Sequence, residues 1–133
     1  MTVTRLTKPA KWLNQAGGYL TVYSHTLNPY SGCSFGCTYC YVRRLPVGLF
    51  RRAEWGDWVD VKSFDPGAFD REWSRALNAG EVTVFMASAT DPYQPAEYRH
   101  GITRGLLERM AERPPAFLLL PAAIRPAPVC RPR

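Results

Sequence analysis

Residues 63–87 read SFDPGAFDREWSRALNAGEVTVFMA, and the change of pattern inside this stretch decides the fold class. Asp65 followed by Pro66 marks a helix start, because a carboxylate accepts the orphan amide hydrogens of a first turn and proline's fixed φ suits the first helical position. Phe69, Trp73, Ala76 and Leu77 then recur at helical spacing, which predicts a helix over 66–78 with one apolar face and a stop at Gly80. Residues 82–87 turn to a nearly continuous apolar run, as expected of a parallel strand buried on both faces. A helix handing over to such a strand indicates an α/β layer.

Before this stretch, residues 58–62 suit a short extended segment, and residues 19–26 are rich in β-branched and aromatic side chains between the turn residues Gly17-Gly18 and Asn28-Pro29. A first strand is expected there. Beyond residue 87 comes a polar loop over 88–95. Tyr98, Ile102, Leu106 and Met110 then predict a second amphipathic helix that Pro114-Pro115 ends, and residues 116–120 read as a third buried strand. The order strand, helix, strand, helix, strand favours right-handed crossovers in one layer.

With 133 residues, 46% of them apolar and 21% charged, the chain has the composition of one globular domain. No stretch reaches the roughly 18–20 uninterrupted apolar residues of a membrane span, and residues 1–13 lack a leader pattern, so no membrane partner and a cytoplasmic location are expected. The formal charge is +6, of which Arg125, Arg131 and Arg133 supply half. They lie in residues 121–133, a run of almost nothing but Pro, Ala and Arg with no apolar period. This run reads as a disordered or out-of-frame tail on a domain spanning 1–120.

Three of the four cysteines fall within eight residues, in the segment NPYSGCSFGCTYCY at 28–41. In a reducing compartment such clustering favours metal binding over disulfides. Cys33, Cys37 and Cys40 have the spacing C-x3-C-x2-C, with Gly32 and Gly36 giving the backbone freedom to wrap a bulky group. A four-iron cube normally takes four thiolates, so a loop supplying three leaves one iron open to a small molecule. The alternative is a structural zinc site with Cys130 as the fourth thiolate, although zinc cysteines usually come as two separated pairs.

The same loop resembles the radical S-adenosylmethionine (SAM) superfamily, in its spacing, in Tyr39 just before the third cysteine and in its place after a first strand. Asn28-Pro29-Tyr30-Ser31-Gly32-Cys33 and Cys40-Tyr41-Val42-Arg43 are similar, more narrowly, to the spore photoproduct lyase-like branch. So is Thr90-Asp91-Pro92-Tyr93-Gln94-Pro95-Ala96-Glu97, about fifty residues on. The resemblance covers roughly residues 19–120. It implies the N-terminal part of a partial (β/α)6, TIM-like barrel, with about half of the barrel absent from this chain.

The resemblance further implies that Cys33, Cys37 and Cys40 ligate three irons of a [4Fe-4S] cluster and that SAM chelates the fourth. Tyr39 would lie near the adenine, and Ser88, Thr90 or Asp91 would meet the SAM amino group. The implied activity is lyase-like: an electron from a flavodoxin or ferredoxin cleaves SAM reductively, and the 5′-deoxyadenosyl radical takes a hydrogen from a substrate. The two lyase-like motifs and the basic charge also suit a DNA-repair enzyme with a nucleic-acid partner. His25 and His100 read as ordinary polar residues, Trp55 and Trp58 as core. Tyr30, Tyr41 and Tyr93 suit either packing or substrate contact.

Overall fold

The computed structural model describes residues 3–16, 22–34, 53–87, 90 and 92–119. They form a mixed α/β structure of seven strands and three helices. The strands are β1 (Val3–Thr7), β2 (Leu13–Gln15), β3 (His25–Leu27), β4 (Tyr30–Gly32), β5 (Trp58–Lys62), β6 (Thr83–Met86) and β7 (Phe117–Leu119). The helices are α1 (Pro66–Ala79), α2 (Pro95–His100) and α3 (Ile102–Glu112). The strands make two mixed sheets, ordered β1-β5-β4 and β2-β3-β6-β7, and among the described residues no barrel closes.

The larger sheet holds the expected parallel core. β3 runs parallel to β6, with Leu27 opposite Met86, and β6 runs parallel to β7. α1 starts as its sequence dictates: the Asp65 carboxylate accepts from the amides of Gly67 and Ala68 at 3.0 and 3.3 Å. Its buried face carries Phe69 stacked on Trp73, whose indole nitrogen donates to the carbonyl of Arg113 at 2.9 Å. These rings meet Leu27, Val84, Met86, Leu106 and Met110 in one core, each buried large apolar side chain contributing about 1.5–3 kcal/mol. Trp55 and Trp58 are also buried, as expected.

Four expectations need correction. The strand expected over 19–26 starts only at His25, because residues 22–24 form turn and bend; residues 19–21 lie outside the described set. The amide of Ser24 bonds both the hydroxyl and the carbonyl of Thr83, a local pattern that outweighs β propensity. In β6, Val84 and Met86 are fully buried while Thr83 and Phe85 are only partly so, and Phe85 meets Tyr23 edge-on. β7 is not buried: it is the outermost strand of the described sheet, and Phe117 is 53% exposed.

The helix expected to run from Tyr98 to Met110 is two helices. Gly101, at φ +61°, breaks it, and Tyr98, assigned to the apolar stripe, is 99% exposed. β1, β2 and β4 carry no clear period of two. Val3 and Leu6 of β1 are exposed, so the strand exists through its parallel ladder with β5 rather than through a buried face.

Candidate functional site

Parallel β3 and β6 end side by side, so the segments that follow them, 28–34 and 87–94, start at one edge of the sheet. This is where open α/β sheets bind ligands. Ala87, at φ +62°, turns the chain sharply off β6 while its amide donates to the carbonyl of Leu27 at 2.6 Å. A left-handed alanine costs about 1–2 kcal/mol, so the turn is sustained by what surrounds it.

Along 28–34 every second residue is tied to another part of the chain. Lys62 donates from Nζ to the carbonyl of Asn28 at 2.8 Å, and burial holds its amine below the usual lysine range. Tyr30 Oη donates to Glu97 Oε1. Burial first, and then the neighbouring carboxylate, push that phenol well above the ordinary tyrosine value. The carbonyl of Gly32 accepts from Thr90 Oγ1 at 2.6 Å and from Gln94 Nε2 at 3.1 Å. The amide of Ser34 donates to Gln94 Oε1 at 3.2 Å.

Gln94 is 1% exposed and grips the chain on both sides of Cys33. Its primary amide gives a hydrogen to the residue before and takes one from the residue after, the exchange that a neighbouring strand makes across a β-bridge. Only one orientation of the amide satisfies both flanks, and a third bond, to Thr90 Oγ1 at 2.9 Å, fixes it further. Cys33 between these bonds is buried. Gly32 has φ +85°, and a Cβ built there would fall 2.6 Å from both the ring and the carbonyl oxygen of Trp58. Only glycine fits this approach.

Glu97 completes the arrangement. Besides Tyr30, its carboxylate accepts the amides of Thr103 and Arg104 at 2.8 and 3.0 Å, so it caps α3 from the preceding helix. Thr103 Oγ1 in turn donates to the carbonyl of Pro92 at 2.8 Å. One residue expected to bind cofactor therefore also builds the frame. Thr90 spends its one hydroxyl hydrogen on Gly32 and accepts from Gln94, which leaves one lone pair to receive an ammonium hydrogen.

Of the expected site residues, Cys33 and Thr90 are described and meet through Gly32 and Gln94. Cys37, Tyr39, Cys40, Tyr41, Ser88, Asp91 and Cys130 lie outside the described residues. Among the described residues no three His, Cys, Asp or Glu side chains gather as metal ligands. Tyr30 packs rather than facing solvent, whereas Tyr93 is exposed. His25 places Nδ1 2.7 Å from Ser24 Oγ, at the other end of β3. Sequence reasoning missed Gln94, Glu97 and Lys62. Only the paired motifs hinted at the first two, since the reach of a side chain across about sixty residues has no local signature.

Two observations bear on whether a thiolate-held cluster suits this place. Cys33 is buried and rigidly flanked, and Ser34, next to it, is buried with a hydroxyl that has no hydrogen-bond partner among the described residues. A fixed thiol beside a spare hydroxyl donor could serve as one ligand and one hydrogen-bond donor to such a group.

No family model matches the chain, and no solved structure matches it. It is 29% identical over 89 residues to an uncharacterized protein of Methanocaldococcus jannaschii, a match covering 67% of this chain and 32% of that protein. It is 32% identical over 90 residues to uncharacterized proteins of Mycobacterium bovis and Mycobacterium tuberculosis, covering 67% of this chain and 26% of each. The chain thus spans a third or less of the length of these curated relatives. No helix among the described residues is long and apolar enough to cross a membrane.

Proposed function

We propose that this chain is the cluster-holding part of a radical SAM protein of the spore photoproduct lyase-like kind, with β3, β6 and β7 as the first parallel strands of a (β/α)6 barrel wall. The observation that carries the reading is the grip of Gln94 on both flanks of Cys33. Two motifs, each similar to that branch, are joined at the carboxyl end of parallel strands by side-chain bonds between residues about sixty apart.

In this reading Cys33, Cys37 and Cys40 hold a [4Fe-4S] cluster, and Ser88, Thr90 and Asp91 receive SAM beside it, with Tyr39 near the adenine. When bound, the pair supplies one-electron reductive cleavage of SAM to a hydrogen-abstracting radical. The chain's own residues position and exclude water. Gln94 and Thr90 set the backbone on either side of Cys33, and Trp58 closes against Gly32. Glu97 locks Tyr30 and the start of α3 together. The substrate, and the flavodoxin- or ferredoxin-like electron donor, would meet parts of a longer protein.

Anaerobic reconstitution of the full chain with iron and sulfide tests this. The expected product is brown, shows a paramagnetic cluster after reduction and changes its signal when SAM is added, while Cys37→Ala loses the colour. Colourless protein, a signal indifferent to SAM, or bound zinc in place of iron would overturn it.

A further inference from the structure

Ser34 poses a problem of hydrogen bonding that the frame around Cys33 does not solve. The residue is 6% exposed, and its Oγ has no partner among the described residues. A buried hydroxyl left unpaired costs about 1–3 kcal/mol. The backbone here is tied down, since the Ser34 amide is held by Gln94 Oε1 at 3.2 Å and the preceding peptide through Gly32, so the hydroxyl stays beside Cys33 and can move only by rotation of its own side chain. Four neighbouring polar side chains of the frame have found partners: Thr90 with Gly32, Gln94 with three atoms, Thr103 with Pro92, Tyr30 with Glu97. The Ser34 hydroxyl sits one residue from the first of the three clustered cysteines.

A hydroxyl fixed beside a thiolate that ligates iron has a natural acceptor in sulfur. Hydrogen bonds to the sulfurs are among the factors that set an iron-sulfur cluster's reduction potential. An electron added to the cluster increases the charge on sulfur, so a donor aimed at sulfur favours the reduced state. The amide of the same residue, a common donor of this kind, is diverted to Gln94, so the side chain takes over the task.

We propose that Ser34 Oγ donates a hydrogen bond to a sulfur of the cluster held at Cys33, and that Ser34 is a positioning residue that makes the cluster easier to reduce. The inference rests on the cluster reading given above. One electron enters from the reductant, no proton is transferred, and the hydroxyl hydrogen stays on Ser34.

The test is an oxygen-free redox titration of the reconstituted full chain with dithionite, followed by the paramagnetic signal of the reduced cluster. Wild type is compared with Ser34→Ala, and Ser34→Thr with Ser34→Val, a pair of equal size differing in the hydroxyl. At a fixed applied potential the ratio of reduced to oxidised cluster is expected to fall about threefold to tenfold in the Ala and Val variants, tenfold being about 59 mV for a one-electron couple. Thr is expected to stay within about twofold of wild type, the hydroxyl being retained. A cluster present in all chains with equal potentials would sink the proposal and leave the cluster reading standing. Loss of iron from every variant, Thr included, would assign Ser34 to packing and overturn the proposal too. Wild type that takes up no iron would end both.

Discussion

The two ends of the paired strands β3 and β6 are stitched by different kinds of network. At the amino end Ser24 and Thr83 exchange short bonds: the Ser24 hydroxyl donates to the Thr83 carbonyl, and the Thr83 amide returns to Ser24 Oγ, both at 2.9 Å. Both residues are half-buried, Ser24 just before β3 and Thr83 at the start of β6. At the carboxyl end the bonds come from side chains reaching from one loop into another, and Gln94, Tyr30 and Thr103 are each 1% exposed. A solvated stitch costs little and only sets register. A buried one stabilises only when its members are satisfied; Gln94, Thr90, Thr103 and Tyr30 meet that demand, whereas Ser34 Oγ has no partner among the described residues. The difference separates a network that holds a sheet together from one that holds a shape for something else.

Breaking the carboxyl-end frame should therefore cost far more than breaking the amino-end stitch. Gly32→Ala is expected to do most damage: a left-handed backbone and a clash with Trp58 together should cost about 2–5 kcal/mol in urea unfolding. Gln94→Leu, which strands the Ser34 amide and removes two donors, should cost about 2–4 kcal/mol and lower the iron taken up on reconstitution. Normal iron loading in the Gln94→Leu variant would show that Cys33 needs no such frame.

Glu97→Gln weakens three bonds at once and should cost about 1–3 kcal/mol. Its sharper readout is ultraviolet titration of tyrosine. In the wild type the Tyr30 phenol should stay protonated above the ordinary tyrosine value of about 10, and in the variant it should ionise earlier. Ser24→Ala, at the amino end, should cost about 1 kcal/mol and leave iron uptake untouched. If it lowered iron uptake as much as Gln94→Leu, the contrast between the two ends would fail.

The smallest expected effect is a slope. The folded chain lowers the pKa of Lys62 below 10.5 through burial, so between the folded value and 10.5 the unfolded chain holds more protons. Stability should rise with pH across that window, and Lys62→Met should flatten the rise. Unfolding midpoints measured at several alkaline pH values would show it.

Much of the local structure was legible in the chain itself. Asp65-Pro66 and the spacing of Phe69 and Trp73 determined α1, the apolar run determined β6, and Pro114-Pro115 bounded α3, because capping, proline geometry and helical period act over a few residues. The same locality explains the errors. Tyr98 keeps helical spacing with Ile102 and Leu106, yet Gly101 and the Glu97 carboxylate divide the segment. No pattern within β1 reveals that β5 will pair with it.

The cysteine spacing and its companion motif were likewise plain in the sequence as chemistry, in residue types and intervals. Only the tertiary structure decided that Gln94 brackets Cys33, that Gly32 must give way to Trp58 and that Ser34 is buried with no partner for its hydroxyl among the described residues. The physical reason is distance along the chain. Spacing encodes what neighbours can do together, whereas the bonds around Cys33 join residues about sixty apart, and only the parallel pairing of β3 with β6 brings their ends to the same edge.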